Sequence, residues 1–130
     1  MESLGAGVKS VLVVDDEPAV SEVCLRILNS EGFEVDIANN GKIAQDMMRK
    51  RQYDLYLIDI RTPTMNGNEL YQWLRKQHPQ LVNRVIFNTG DVMDRDTMTF
   101  VEQTGRPLLA KPFSPDELKS VVRKTLGKAT

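Results

Sequence analysis

The feature that most constrains the fold is a series of short hydrophobic runs, each ending in polar residues, that recur along the chain. Four runs are hydrophobic at every position, as expected for strands buried on both faces of a parallel sheet. They are residues 11–14, 55–58, 85–87 and 108–110. Residues 33–37 instead alternate apolar with polar side chains, which favours a strand at a sheet edge.

Hydrophobic residues at helical spacing fill the intervals between these predicted strands. The first helix is expected to follow Pro18 and to stop at Gly32, and the second to begin after Asn39 or Asn40. Two more are centred on residues 70–74 and 98–101, and the last begins at a predicted capping box, residues 114–117. Five strands alternating with five helices predict a doubly wound α/β domain with a parallel sheet.

The composition fits one soluble domain and excludes several classes of function. The chain has 130 residues, with 17 basic and 18 acidic side chains and no basic cluster, so we expect no direct contact with nucleic acid. No apolar run approaches the roughly 18 residues of a membrane span, so we expect no membrane contact and a cytoplasmic location. Cys24, the only cysteine, lies among apolar residues and is predicted to be a buried structural thiol. We place the domain at residues 9–127, with a flexible extension at 1–8 and a tail at 128–130.

Polar residues with chemical potential follow the predicted strands at their carboxyl ends. Asp15 and Asp16 follow the first strand, Asp59 the third, Thr89 the fourth and Lys111 the fifth. In open α/β sheets ligands bind at this edge, so we expect these side chains to converge there.

The three aspartates predict a metal site. Two carboxylates about 4 Å apart repel by roughly 4 kcal/mol at an effective dielectric of 20, so a cation must offset them. Carboxylate oxygens at a half-open edge suit Mg²⁺, with Mn²⁺ as a possible substitute. A carboxylate beside such an ion can attack phosphorus to give an acyl phosphate, and the metal, Lys111 and Thr89 would each meet one phosphoryl oxygen.

The sequence resembles the receiver domains of two-component response regulators through VLVVDDEP, LIDIRTPTMNG, VIFNTGD and AKPFSPDEL, which occur in this order along nearly the whole chain. The resemblance implies a flavodoxin-like receiver fold with strand order 2-1-3-4-5. It also implies that Asp59 is the phosphorylation site. Asp16, Asp59 and the backbone carbonyl of Arg61 would bind the metal, and Asp15 would help directly or through water.

The same resemblance assigns roles to residues around the acceptor. Thr89 and Lys111 would sense the phosphoryl group, and the Lys111-Pro112 peptide would be cis. Arg61 and Asp91 would flank the path of attacking water. We expect either that an Arg61–Asp91 bidentate pair covers this path and slows hydrolysis, or that both side chains point into solvent and exclude little water. Leu108 stands where receivers that drive an output usually carry an aromatic residue that swings inward together with the threonine. Leucine cannot supply this ring, so we expect the aromatic part of the switch to be missing.

By this resemblance the chain takes part in a phosphorelay. A sensor histidine kinase or a histidine phosphotransfer domain would donate the phosphoryl group, and the chain alone would be an acceptor rather than an enzyme. Residues 104–111 resemble receivers at the carboxyl end of hybrid sensor histidine kinases, which favours such an origin. Two roles stay open, a switch and a phosphoryl carrier. The alternative is a pseudo-receiver that keeps the fold without being phosphorylated, and the oligomeric state is also open.

Overall fold

The chain forms five strands that alternate with five α-helices, with a 3₁₀ helix before the fourth strand, in the part that the structure describes. The computed structural model covers the backbone of residues 8–129 and the side chains of residues 8–127. In chain order the elements are β1 (Ser10–Val14), α1 (Pro18–Ser30), β2 (Glu34–Ala38), α2 (Gly41–Lys50), β3 (Leu55–Asp59), α3 (Gly67–Gln77), the 3₁₀ helix (Pro79–Arg84), β4 (Val85–Thr89), α4 (Arg95–Thr104), β5 (Leu108–Ala110) and α5 (Pro115–Ala129).

The strands form one parallel sheet in the order β2-β1-β3-β4-β5, as predicted. β2 lies at an edge, which accounts for its alternating pattern. Asp59 at the end of β3 is in register with Asn88 in β4, and Asn88 is in register with Leu109 in β5. Residues in register on parallel strands point to the same face, so these three side chains leave the sheet on one side.

Two apolar clusters cover the two faces of the sheet. One joins the face of β3 and β4 that carries Ile58 and Phe87 to α2 and α3. The other joins the face that carries Leu57 and Ile86 to α1 and α5. Cys24 of α1 is fully buried in the second cluster, where burial above all, and the charge of Asp15, raise the pKa of its thiol to about 12. The predicted structural thiol is confirmed.

Polar caps and two glycines set the helix ends close to the predicted positions. The Asn40 side chain accepts a hydrogen bond from the backbone of α2 at 2.9 Å. Ser114 and Glu117 form the predicted capping box of α5, each side chain accepting the other's backbone N–H. Gly32 and Gly105 end α1 and α4 with positive φ angles of 92° and 69°, which glycine adopts at little steric cost.

Several details differ from the sequence-based expectations. The 3₁₀ helix was not predicted, since its sequence has no clear apolar period. Val23 and Ile43 stand at helical spacing with the other apolar residues of α1 and α2 but are 43% and 41% exposed. α5 continues to Ala129, two residues past the predicted domain end at 127. Most of the predicted N-terminal extension, residues 1–7, lies outside the described residues. Among the described helices, none has the length and apolar character needed to cross a membrane.

Candidate functional site

Asp59 lies at the centre of the carboxyl edge of the sheet and is held on both carboxylate oxygens. Asp59 as a whole is only 4% exposed. Oδ1 accepts the backbone N–H of Arg61 at 2.9 Å, and Oδ2 accepts a hydrogen bond from Lys111 Nζ at 2.9 Å. Gly67 begins α3 against this strand end, where an added Cβ would lie 2.7 Å from the Asp59 carbonyl oxygen. The position of Asp59 therefore depends on the close approach of α3.

Lys111 links three carboxylates from two different parts of the sheet edge. Its Nζ lies 2.6 Å from Glu17 Oε1, 2.9 Å from Asp59 Oδ2 and 3.0 Å from Asp15 Oδ2. The Lys111 side chain is 11% exposed, and burial by itself lowers its pKa. The hydrogen bonds to Asp59 and Glu17 and the nearby Asp15 carboxylate together outweigh burial and raise the pKa above the ordinary value for lysine, so the ammonium is charged at neutral pH. The Lys111-Pro112 peptide is cis, as predicted.

Asp15 contributes a buried carboxylate oxygen that the protein leaves without a hydrogen bond. Oδ1 accepts the backbone N–H of Glu17 at 2.9 Å. Oδ2 lies 3.0 Å from Lys111 Nζ but outside hydrogen-bonding geometry, and has no other partner among the described residues. Burial is the main cause that raises the pKa of this carboxyl, with the charge of Asp59 adding to it. A buried oxygen of this kind needs a further positive group.

The donor set fits a divalent cation. Carboxylate oxygens of Asp15, Glu17 and Asp59 all lie within 4.8 Å of one another. Three carboxylates and one ammonium leave a local charge of −2. Oxygen ligands alone suit a hard ion such as Mg²⁺ or Mn²⁺ rather than zinc, which prefers nitrogen and sulfur.

The acidic cluster differs from the predicted one in one member. Asp16 is exposed and lines a neighbouring cleft instead of joining the group, and Glu17 takes its place near Lys111. The role of Asp16 as a metal ligand stays a prediction, as does that of the Arg61 carbonyl. Sequence reasoning missed Glu17, which directly follows Asp15 and Asp16 in the chain. Its place just before Pro18, at the cap of α1, was the available signal.

Thr89 ends β4 and is fully buried. Its Oγ1 accepts the backbone N–H of Asp91 at 3.1 Å, which ties the start of the β4–α4 loop to the strand. The structure thus places Thr89 at the predicted edge of the sheet and in contact with the loop. Its part in sensing a phosphoryl group stays a prediction.

Arg61 and Asp91 form an ion pair across the mouth of the site. Arg61 Nη2 lies 2.9 Å from Asp91 Oδ2 and 3.6 Å from Asp94 Oδ2. The predicted bidentate geometry is wrong, since one nitrogen bridges two carboxylates. Asp94 also caps α4 by accepting from the side chain and backbone of Thr97, and these hydrogen bonds lower the pKa of its carboxyl. The Arg61 and Asp91 side chains are 57% and 45% exposed.

Leu108 packs against the apolar cluster on the α2 and α3 side and is only partly buried. Three of the aromatic rings in the same cluster contact one another. The ring centroid of Phe87 lies 5.4 Å from Tyr71 of α3 and 5.2 Å from Phe100 of α4, and the latter two are 5.9 Å apart. Aromatic contacts near β4 therefore come from α3 and α4 rather than from β5.

Two clefts open beside the acidic cluster. One, of about 560 Å³, lies between the β3–α3 loop and α4 and is lined by Asp16, Arg61 and Phe100 among others. The other, of about 450 Å³, lies beside Lys111 and is mostly apolar. The side chains that line the second cleft are Glu17, Ala19, Val20, Val23, Lys111, Pro112 and Phe113.

Comparisons with known proteins agree with this geometry. The chain is similar to the response regulator Rre1 of Synechocystis, with 35% identity over 120 residues that make up 92% of this chain and 52% of Rre1. The chain spans about half the length of most of the curated relatives it matches.

Solved structures share the fold of the chain. A CheY-like receiver domain from Methanospirillum hungatei is 28% identical, with a TM-score of 0.86, and the match covers 95% of this chain and 97% of that one. The receiver domain of the sensor histidine kinase PA1611 from Pseudomonas aeruginosa is 27% identical, with a TM-score of 0.83, and the match covers 93% and 99%. That structure has a magnesium ion coordinated in its active-site cleft.

The family model of the response regulator receiver domain matches residues 11–123, from the second residue of β1 into α5. This range holds every member of the acidic cluster as well as Lys111 and Thr89. The chain therefore belongs to the receiver domain family of two-component response regulators.

Proposed function

We propose that Asp59 accepts a phosphoryl group from a phosphohistidine in a Mg²⁺-dependent reaction. One observation carries this proposal: the buried Asp59 carboxylate is aligned by Lys111 and the backbone of Arg61, and it stands beside the unsatisfied Asp15 oxygen. An acidic group with no role beyond solvation would not be buried next to two further carboxylates, because their repulsion disfavours it.

The reaction balances as a simple transfer. A carboxylate oxygen of Asp59 forms a bond to phosphorus while the phosphorus–nitrogen bond of the donor breaks. The electron pair of the broken bond stays on the imidazole nitrogen, which takes up a proton. The later hydrolysis breaks the acyl phosphate with one water and returns the free carboxylate.

Residues of the chain position and neutralise the transferred group. The Lys111 ammonium already contacts Asp59, so it meets a phosphoryl oxygen with little movement. Thr89 would turn its hydroxyl from the Asp91 backbone towards another oxygen. Asp15 and Asp59, with Glu17 or Asp16, would hold the metal, which would neutralise charge on the phosphoryl oxygens.

The apolar cleft beside Lys111 supports a helical protein as donor. Exposed Val23 of α1 and Phe113 after the cis peptide line it, within reach of the acceptor. A helix that carries the phosphohistidine could lay its apolar face there. We therefore propose a sensor histidine kinase or histidine phosphotransfer domain as partner, in the cytoplasm. We also propose that the chain derives from a hybrid kinase and works as a switch or a carrier, as an acceptor rather than an enzyme.

The decisive experiment is intact-mass measurement after incubation with Mg²⁺ and acetyl phosphate. The chain should gain about 80 Da, the mass of one phosphoryl group, and lose the gain in EDTA. Asp59→Asn should show no gain, while Asp116→Asn, a change at an exposed residue of α5, should gain as the parent does. A parent that stays unmodified with a competent kinase as well would support the pseudo-receiver instead, and a full gain in Asp59→Asn would refute the acceptor.

A further inference from the structure

Asn88 is a polar side chain that the fold buries without giving it a partner. It lies in β4 with no exposed surface. Neither Oδ1 nor Nδ2 has a hydrogen-bond partner among the described residues. Buried amides in native proteins are nearly always paired, and an unpaired one lowers stability. An apolar residue would suit this position better if packing were its only role.

The strand register places Asn88 beside the acceptor and beneath Lys111. Asn88 is in register with Asp59, so the two side chains leave neighbouring strands on the same face, about 4.8 Å apart along the sheet. Lys111 follows β5 and reaches across β4 to Asp59. Its path crosses Gly90, whose added Cβ would lie 3.9 Å from Lys111 Cβ. Gly90 has no side chain to separate the lysine stem from Asn88, two residues earlier on the same face.

The donors of Lys111 are occupied in the unmodified chain but must be redistributed during the reaction. Its Nζ lies within 3.0 Å of carboxylate oxygens of Asp15, Glu17 and Asp59. A divalent cation on Asp15 and Asp59 would compete for the same oxygens, and a phosphoryl group on Asp59 would replace one of them. A phosphoryl oxygen would take the place of the Asp59 oxygen and Glu17 would keep its contact, so the ammonium would need one further acceptor in place of Asp15. Asn88 Oδ1 is a buried unpaired acceptor on that face.

We propose that Asn88 is a positioning residue for Lys111: its amide oxygen accepts a hydrogen bond from the ammonium once Asp59 is engaged by metal and phosphoryl group. This inference rests on the proposed phosphoacceptor function. In the unmodified chain the unpaired amide lowers the stability of the fold, and in the reacting state its oxygen gains a hydrogen bond. A hydrogen bond to a charged group of this kind is worth roughly a tenfold change in rate or more.

The test compares Asn88→Val with Asn88→Thr, which share a shape and differ by one hydroxyl acceptor. Without Mg²⁺ and donor, Asn88→Val should melt at the parent temperature or above it, because a buried unpaired amide is removed. With Mg²⁺ and acetyl phosphate, its maximal rate of mass gain should fall about tenfold, with the half-saturating donor concentration unchanged. Asn88→Thr should recover most of the lost rate. The pair Asn88→Ala and Asn88→Ser repeats the comparison with smaller side chains if valine prevents folding.

The outcomes separate this inference from the proposed function. A parent that gains no mass with acetyl phosphate or with a competent kinase removes both. A parent that gains mass while Asn88→Val gains it at the same rate overturns the role of Asn88 alone. The role of Asn88 is also overturned if Asn88→Thr loses as much rate as Asn88→Val, or Asn88→Ser as much as Asn88→Ala. The shape of the side chain rather than its hydrogen-bond acceptor would then explain the lower rate.

Discussion

Replacing Asp15 by asparagine should stabilise the metal-free protein, because it removes a buried charge from a crowded acidic cluster. The carboxylate oxygens of Asp15 and Asp59 are at most 4.8 Å apart, which corresponds to a repulsion of at least about 3.5 kcal/mol at an effective dielectric of 20. Burial of the Asp15 carboxylate adds a penalty of several kcal/mol. Against these stands the attraction to Lys111 Nζ at 3.0 Å, about 5.5 kcal/mol on the same scale.

The balance favours the neutral side chain by about 1 to 3 kcal/mol, since the amide oxygen can still contact Lys111. The raised pKa of Asp15 agrees in sign. A carboxyl whose pKa is higher in the folded chain contributes stability below its unfolded pKa and loses that contribution as pH rises through the folded value. The gain from Asp15→Asn should therefore be largest at pH 7 to 8 and vanish below about pH 4.

The assay is urea and thermal unfolding in EDTA, followed by circular dichroism, at several pH values. The melting temperature should rise by roughly 3 to 6 °C per kcal/mol for a domain of this size. Asp16→Asn is the matched control, because the exposed Asp16 should change stability by about 0.5 kcal/mol or less. Added Mg²⁺ should stabilise the parent more than Asp15→Asn, and its effect on Asp16→Asn tests whether Asp16 binds the metal. A less stable Asp15→Asn at pH 7.5 in EDTA would refute the electrostatic reasoning.

Three further predictions concern the surroundings of the site. Arg61→Ala and Asp91→Ala should each hasten the loss of phosphate after the donor is removed, because their ion pair covers the path of water. The double variant should lose phosphate little faster than either single variant. If intact-mass measurements show both single variants losing phosphate at the parent rate, this prediction is contradicted. Gly41→Ala should lower the free energy of unfolding in urea by about 1 to 3 kcal/mol, because its Cβ would lie 2.0 Å from the Met65 carbonyl oxygen, and unchanged stability would refute the clash. Beryllofluoride with Mg²⁺ should change hydrogen exchange in the β4–α4 loop more than across the face formed by Leu108, α4 and α5. Equal changes in both regions would contradict this, because that face would then respond to activation as strongly as the loop.

The sheet and most of the site could be predicted because they depend on local sequence patterns. Hydrophobic runs of three or four residues that end in polar residues are enough to identify these strands, and parallel strands bring their carboxyl ends to one edge. Asp15, Asp59 and Lys111 follow such runs directly, so their convergence follows from topology alone. The caps at Asn40 and Ser114 likewise depend only on neighbours three residues away.

The features that sequence reasoning missed depend on contacts between distant residues. Glu17 joins the cluster because Lys111, 94 residues later, reaches it, while Asp16 turns outward. The bridge from Arg61 to Asp94 depends on where α4 begins. Sequence reasoning assigned no role to Asn88, which lies next to Thr89 in β4. Asn88 stands two residues after Ile86 in the same strand, and this spacing was the available signal that both side chains lie on the same face of the sheet.

Lys111 connects the chemistry of the site to the shape of the domain. It is attached to the end of β5 and binds carboxylates at the ends of β1 and β3, so it spans β4 between them. A phosphoryl group on Asp59 would change the charge that Lys111 meets without any need for an aromatic side chain at Leu108. The other connection is the hydrogen bond from the Asp91 backbone to Thr89, which holds the β4–α4 loop. Since both connections meet at β4 and the adjoining loop, we expect the signal to leave the site through that loop, where the exposed Met93 is available to a partner.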